Sequence, residues 1–233
     1  MKKQKITPEL ILAAYARGMF PMADSADADD VYWYDPELRG QLPINALHIP
    51  RKLKKFIKKG RYKVSFDAAF SDVIHACADI YPGREDTWIN AQIREVFESL
   101  YYAGHAHSVE VWYKDDLVGG LYGLALGGAF FGESMFSLAD NASKTALVHL
   151  TAHLQRQGFM LLDTQFVNDH LKQFGVYEVP RTEYLEKLHK ALALDVQFVP
   201  SGGGVSSVFG SAVSFEPDMA VLDTFLQSTT QTS

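Results

Sequence analysis

Apolar side chains along this chain recur first at a helical spacing, then at a spacing of two, then at a helical spacing again. Thr7 and Pro8 are suited to opening a helix that carries Ile11, Leu12 and Tyr15, and Gly18 is suited to ending it. Ile49, Leu53, Phe56 and Ile57 follow at i, i+4, i+7 and i+8, a buried helical stripe. Tyr62, Val64 and Phe66 alternate with polar neighbours as a strand does. Asp67 then stands where it can cap a helix with the stripe Phe70, Val73, Ile74 and Cys77. After a loop over residues 81–87, Asn90 opens a helix burying Ile93, Phe97, Leu100 and Tyr101, closed near Gly104. The period then changes to two: Val109 and Val111, a turn at Lys114-Asp115-Asp116, and a long strand from Leu117 to Leu126. Gly127-Gly128 makes a hairpin turn and residues 129–136 the returning strand. A helix over 142–157 buries Ala146, Leu147, Leu150 and Leu154, and Gly158 closes it. Phe159–Asp163 is a short apolar strand ending in a carboxylate. Asn168 starts a brief helix, residues 176–179 a strand, and residues 182–192 a last helix.

From residue 61 the order is β-α-α-β-β-β-α-β-α-β, which predicts one mixed sheet with helices on both faces. This α/β order is similar to the GNAT-type acyltransferase fold. Residues 1–60 are then a small N-terminal unit, 61–195 the sheet domain, and 196–233 a Gly/Ser/Thr-rich extension. The length of 233 residues suits one domain with a small companion. A content of 47% hydrophobic and 21% charged residues is that of a globular chain. No apolar run is long enough to span a membrane. Lys2, Lys3 and Lys5 are followed by Pro8, Glu9 and Arg17, so a signal peptide is not expected. Cys77, the single cysteine, excludes an internal disulfide and a paired-cysteine zinc site, and fits a reducing cytoplasm. On its helical stripe it is a core residue.

Net charge alone, −6, argues against a nucleic-acid partner. Its distribution argues the other way. Arg51, Lys52, Lys54, Lys55, Lys58, Lys59, Arg61 and Lys63 are eight of the 22 basic residues, and they project opposite an apolar stripe. Asp24, Asp27, Asp29, Asp30, Asp35 and Glu37 lie just upstream. The basic run reads either as a solvated helix face or as a phosphate-binding strip.

Several chemistries can be set aside. A CoA enzyme of the GNAT type needs a basic, glycine-rich loop before the helix that follows the hairpin, and residues 137–144 hold Asp140 and no glycine. His149 and His153 share a helix spacing without a third ligand, and are expected on that helix's polar side. His105 and His107 fall on one face of a strand. Gly132-Glu133-Ser134 lacks the closing glycine of a nucleophile elbow, where Phe136 stands. Two carboxylates remain. Glu133 lies among Phe130, Phe131, Met135 and Phe136, and Asp163 ends a strand with Gln165 two residues on, on the same face if the strand continues. Asp163 is either a turn-capping residue or part of a site at the carboxyl end of a strand.

Gly104-His105-Ala106-His107-Ser108-Val109-Glu110-Val111-Trp112, residues 131–137 (FGESMFS), residues 141–147 (NASKTAL), Asp163-Thr164-Gln165 and Asn168-Asp169-His170 together resemble the motifs of the leucyl/phenylalanyl-tRNA–protein transferases. Weaker matches lie at residues 17–21, 33–36 and 87–89, so the likeness runs from about residue 7 to 195. The resemblance implies a bacterial cytoplasmic enzyme of the N-degron pathway, with a GNAT-like catalytic domain and neither cofactor nor metal. Its partners would be leucyl-tRNA and phenylalanyl-tRNA (methionyl less well) and proteins with an N-terminal Arg or Lys, which the added residue marks for degradation. By motif position, Asp163 polarises Gln165, which receives the amine, or both only position it. Glu133 holds the cationic acceptor, and Gly132 and Asn168 position the acceptor backbone. Leu121, Phe130, Leu147, Leu150, Leu154 and Leu162 would line the aminoacyl side-chain pocket, and each suits a core equally well. Tyr15, Met22, Trp33 and Trp88 would meet the terminal adenosine, and Arg51, Lys52, Lys54, Lys55, Lys58 and Lys59 the tRNA phosphates. Met22 stands where many members have Trp, and a leading segment with a Gly-Gly-Asp turn is missing. Alternatives are another aminoacyl or acyl N-transferase on this fold, or a tRNA-binding adaptor without catalysis, against which intact Asp163, Gln165 and Glu133 argue.

Overall fold

The computed structural model describes residues 6–80 and 85–200. Lys2, Lys3, Lys5, part of the 81–87 loop and the extension from residue 201 lie outside the described residues. In chain order the elements are α1 (Pro8–Tyr15), β1 (Phe20–Met22), β2 (Tyr32–Tyr34), β3 (Leu38–Leu42), a single 3-10 turn at Ile44–Ala46, α2 (Arg51–Ile57), β4 (Lys63–Phe66), α3 (Phe70–Ala78) and α4 (Ala91–Tyr102). They continue with β5 (Ala106–Tyr113), β6 (Asp116–Leu126), β7 (Ala129–Ser137), α5 (Ala142–Gln157), β8 (Leu161–Gln165), α6 (Asp169–Lys172), β9 (Tyr177–Pro180) and α7 (Arg181–Leu192).

Seven strands form one mixed sheet in the order β4-β5-β6-β7-β8-β3-β9, and β1 and β2 pair separately. Every pairing is antiparallel except β7 with β8, which α5 connects. Two apolar clusters cover the two faces. One joins α2 and α5 to the sheet through Leu53, Ile57, Leu147, Leu150 and Phe130. The other joins α1, α3, α4 and α7 through Ile11, Val73, Phe97 and Leu188. This is the mixed α/β sheet with helices on both faces expected from the order of elements. Thr7 and Asn90 cap α1 and α4 as their side-chain chemistry requires, and Cys77 is a buried core thiol.

Three local expectations change. Asp67 does not cap α3. Its carboxylate takes the Ser108 amide at 2.8 Å and His107 Nδ1 at 2.8 Å. Buried Glu110 reaches the amides of Ala68 and Ala69 instead, and Ser65 donates to it at 2.6 Å. Burial raises the Glu110 carboxyl above its ordinary range. Second, α5 has no solvated side for its histidines. Nearly every residue from Ala142 to Leu154 is buried, because the sheet covers one side while α2, the 3-10 turn and Phe198 cover the other. Burial holds His149 and His153 down to about 4, so both are neutral packing groups near pH 7. Third, β3 is an interior strand that periodicity does not reveal, because buried Arg39 and Gln41 interrupt it.

Candidate active site

The central hairpin is irregular where the site forms. Tyr122 pairs with Ser134 and Gly123 with Gly132, so Glu133 is the extra residue of a β-bulge. One strand over, the parallel ladder of β7 and β8 ends at Phe131 with Asp163. Beyond that pair the two strands no longer share a ladder, and a cavity of about 650 Å³ occupies the opening. Leu121, Leu147, Leu150 and Leu162 belong to its apolar lining together with Met135, Phe136 and Leu171, and Glu133, Gln165, Asn168 and Trp88 also line it. A smaller hollow of about 150 Å³ shares Trp88, Glu133, Thr164, Gln165 and Asn168 with it and adds Phe20, Met22 and Phe166.

Asp163 is fully buried and its two oxygens are committed to protein donors. Arg39 Nε donates to Oδ1 and Oδ2 at 3.0 and 3.1 Å, and Nη2 donates to Oδ2 at 2.8 Å. The Tyr184 hydroxyl donates to Oδ2 at 2.6 Å, and the Gln165 main-chain N–H to Oδ1 at 2.8 Å. Arg39 is itself held, with Nη1 on the Gly18 carbonyl at 2.8 Å and its guanidinium against the rings of Phe20 and Tyr184. Burial works against the Arg39 charge, but Asp163 outweighs it and the guanidinium pKa rises.

Gln165 completes β8 in a left-handed conformation, φ +55°. The alternation that would put Asp163 and Gln165 on one face therefore breaks at Gln165. Asp163 bonds to its backbone, while its carboxamide Nε2 meets Glu133 Oε1 at 3.3 Å. That same oxygen accepts the Tyr15 hydroxyl at 2.7 Å. Glu133 is only partly shielded by its neighbours' surfaces, since the cavity reaches it. Even so, burial pushes its carboxyl up to about 8, against the Tyr15 hydrogen bond and with help from the nearby Asp163 charge. Burial also drives the Tyr15 hydroxyl well above its ordinary range, with Glu133 adding to the effect.

The expected residues divide. Asp163, Gln165 and Glu133 meet in one place, and Gly132 and Asn168 border it, with Asn168 Oδ1 accepting the Leu171 amide at 2.9 Å to start α6. Leu121, Leu147, Leu150 and Leu162 line the cavity, whereas Phe130 and Leu154 lie fully buried in the cluster behind it. Met22 and Trp88 border the smaller hollow. Tyr15 does not offer a stacking face. It is fully buried, edge-on to Phe131 at 4.9 Å, and its work is to hold Glu133. Trp33 pairs across the β1–β2 ribbon with Pro21, so strand alternation turns it to the face opposite Met22, and it lines a separate hollow with Asp29 and Asp30. On α2, Arg51, Lys52, Lys55, Lys58 and Lys59 are exposed and Lys54 is half-buried over the buried pair Leu53 and Ile57. Arg39, Tyr184 and Phe166 were not singled out by the sequence. The one signal for Arg39 is a cation followed by Gly40 just after the acidic stretch, and it is weak.

Comparison with known proteins follows the same line. The family model for leucyl/phenylalanyl-tRNA protein transferase matches residues 41–189, and the model for that family's N-terminal domain matches residues 4–37. A leucyl/phenylalanyl-tRNA–protein transferase of Afipia carboxidovorans is 53% identical over 83% of this chain and 86% of its own. One from Caulobacter vibrioides is 52% identical over 87% and 93%. Among solved structures, "The structure of L-PGS from Bacillus licheniformis" aligns with 66% of this chain and 51% of its own at 11% identity and a TM-score of 0.39, a distance at which the likeness bears on neither chemistry nor substrate.

Proposed function

The chain belongs to the leucyl/phenylalanyl-tRNA–protein transferase family, and on that premise we propose that it moves Leu or Phe, and Met less well, from charged tRNA onto the N-terminal Arg or Lys of acceptor proteins, marking them for degradation. The observation that carries this reading is the leucine-lined cavity opening between β7 and β8 directly beside Glu133 and Gln165. An unbranched-entry aminoacyl side chain fits such a lining, and its ester then lies at the polar rim. A charged-tRNA substrate supports the reading of a cytoplasmic enzyme. Among the described residues no helix is long and apolar enough to cross a membrane.

The ester is already activated, so the chemistry is aminolysis. The acceptor α-amino nitrogen forms a bond to the ester carbonyl carbon, whose π electrons move onto oxygen. Collapse of the tetrahedral intermediate breaks the bond to the ribose oxygen, which leaves with the proton released by the amine. The protein's share is to desolvate, align and handle that proton. Glu133 receives the acceptor amine, Gln165 orients it, and Gly132 and Asn168 position the acceptor backbone. Asp163, with its oxygens saturated by Arg39, Tyr184 and the Gln165 amide, acts by fixing Gln165, which favours positioning over proton relay. The acyl-CoA alternative lacks a glycine-rich pyrophosphate loop ahead of α5. The test is incubation with leucyl-tRNA and a peptide beginning with Arg. A mass gain of one leucine residue is expected, and no transfer where another family member works would refute the reading.

A further inference from the structure

Phe166 occupies a position that packing does not explain. A strand continuing past Gln165 would carry Phe166 along the sheet, but the left-handed turn at Gln165 ends the strand and swings the next residue out. The ring is left 45% exposed, an unfavourable place for a large apolar side chain. It is not loose. Gly40 of β3 presses so closely on this segment that a Cβ there would stand 2.8 Å from Thr164 Oγ1 and 3.1 Å from the Phe166 carbonyl carbon. The Phe166 ring sits edge-on to Phe20 at 5.5 Å, and Phe20 stacks on Tyr34 at 5.8 Å and carries Arg39 at 4.5 Å. A chain of rings thus backs Phe166 from behind and leaves it exposed in front.

Its surroundings say what that exposure suits. Phe166 borders the 150 Å³ hollow together with Met22 and Trp88, and that hollow shares Glu133, Thr164, Gln165 and Asn168 with the larger cavity. A group in the small hollow is therefore directly joined to one whose reacting atoms lie at Glu133. Phe20, Met22, Trp88 and Phe166 give this hollow an apolar side, Glu133, Thr164, Gln165 and Asn168 give it a polar one, and a planar ring with polar edges, as a nucleobase has, matches both. With Tyr15 buried and Trp33 on the other side of the ribbon, Phe166 and Trp88 are the aromatic residues lining this hollow that are not buried, Phe20 being 3% exposed.

We propose that Phe166 is a stacking surface for the base of the nucleoside that carries the reacting ester, the terminal base of the charged tRNA. The inference rests on the transferase reading above. It is tested by steady-state transfer to an Arg-peptide from two donors, charged phenylalanyl-tRNA and the ester-linked nucleoside phenylalanyl-adenosine alone. Phe166→Ala is expected to raise KM for both donors about tenfold, the loss of one base–aromatic stack, with kcat unchanged. Phe166→Leu, which keeps apolar bulk without a ring, is expected to match Phe166→Ala, and Phe166→Trp to match the wild type. A wild-type KM in Phe166→Leu overturns the proposal, since bulk rather than a ring would then suffice. So does a KM raised for the tRNA but not for the nucleoside ester, which would place Phe166 against another part of the tRNA. Absence of transfer by the wild type overturns the reading beneath and this inference with it; transfer by the wild type with Phe166→Ala unaffected overturns this inference alone.

Discussion

Two carboxylates stand one strand apart in this site and are held in opposite ways. Asp163 is surrounded by donors that stabilise its charge, whereas Glu133 has one hydroxyl, one distant carboxamide and an apolar setting. The Glu133 carboxyl, pushed up to about 8 mainly by burial, keeps its proton in the folded chain at pH values where the unfolded chain, at 4.5, has lost it. Between those two values the native state binds more protons, so stability contributed by this group is full below about 4.5 and lost as pH rises to 8. Glu133→Gln should therefore melt at the same temperature as wild type near pH 4.5 and at an increasingly higher one up to pH 8. Thermal unfolding across that range measures the gap, and a gap that does not grow with pH would contradict the assignment. Transfer should fall about a hundredfold in the same variant, the size of a lost proton-handling group. Both carboxylates were legible in the sequence because each interrupts an apolar run. Their different surroundings were not, since those depend on Arg39, Tyr15 and Tyr184, which lie 21 to 124 residues away along the chain.

Among the elements, the one least visible in the sequence does the most to fix the site. Periodicity located the helices and nearly all of the central strands because each buries one apolar stripe or one alternating face. β3 escapes that reading, with Arg39 and Gln41 where an interior strand normally carries Val or Ile. Its polarity has a structural reason: Arg39 neutralises Asp163 of β8, and Gln41 accepts from the Tyr177 hydroxyl of β9. β1 and β2 escape for another reason, being three residues each with too few positions to show a period. The Arg39–Asp163 pair is buried to 1% and 0% exposure, so removing one partner strands the other charge in the core. Arg39→Met should cost about 3–5 kcal/mol by urea unfolding. Arg39→Lys keeps the charge but loses the planar fork and should recover part of that stability while leaving kcat low, because a point charge cannot hold Asp163 against both Gln165 and Tyr184. Recovery of full kcat in Arg39→Lys would show that charge alone positions Gln165.

For the molecule as a whole, net charge misleads until it is divided. The run from Arg51 to Lys63 contains eight basic residues and no acidic one, which leaves the other 14 basic residues to face all 28 acidic ones. The structure keeps most of that run on one exposed helix and the turn after it, with α2 resting on α5 through Leu53 and Ile57 and its cations outward. A fold gains nothing from gathering like charges on so short a segment, where they repel one another: the Lys58 charge lowers the pKa of Lys54, after burial. A polyanion reverses that balance by binding several of them and releasing its counterions. Replacing Lys54, Lys55, Lys58 and Lys59 with Gln should then weaken charged-tRNA binding at low salt. The slope of log K against log salt should flatten by about 0.7–0.9 for each phosphate that the variant no longer neutralises. The large acidic remainder sharpens the contrast, since it disfavours tRNA anywhere else on the surface and leaves α2 to supply most of the slope. Transfer from phenylalanyl-adenosine, which has no acceptor stem, should be untouched by the same four substitutions. If the slope survives them, α2 is a solvated face and the tRNA is gripped elsewhere. If transfer from the nucleoside ester falls as well, α2 acts through the packing of α5 on the cavity rather than through charge.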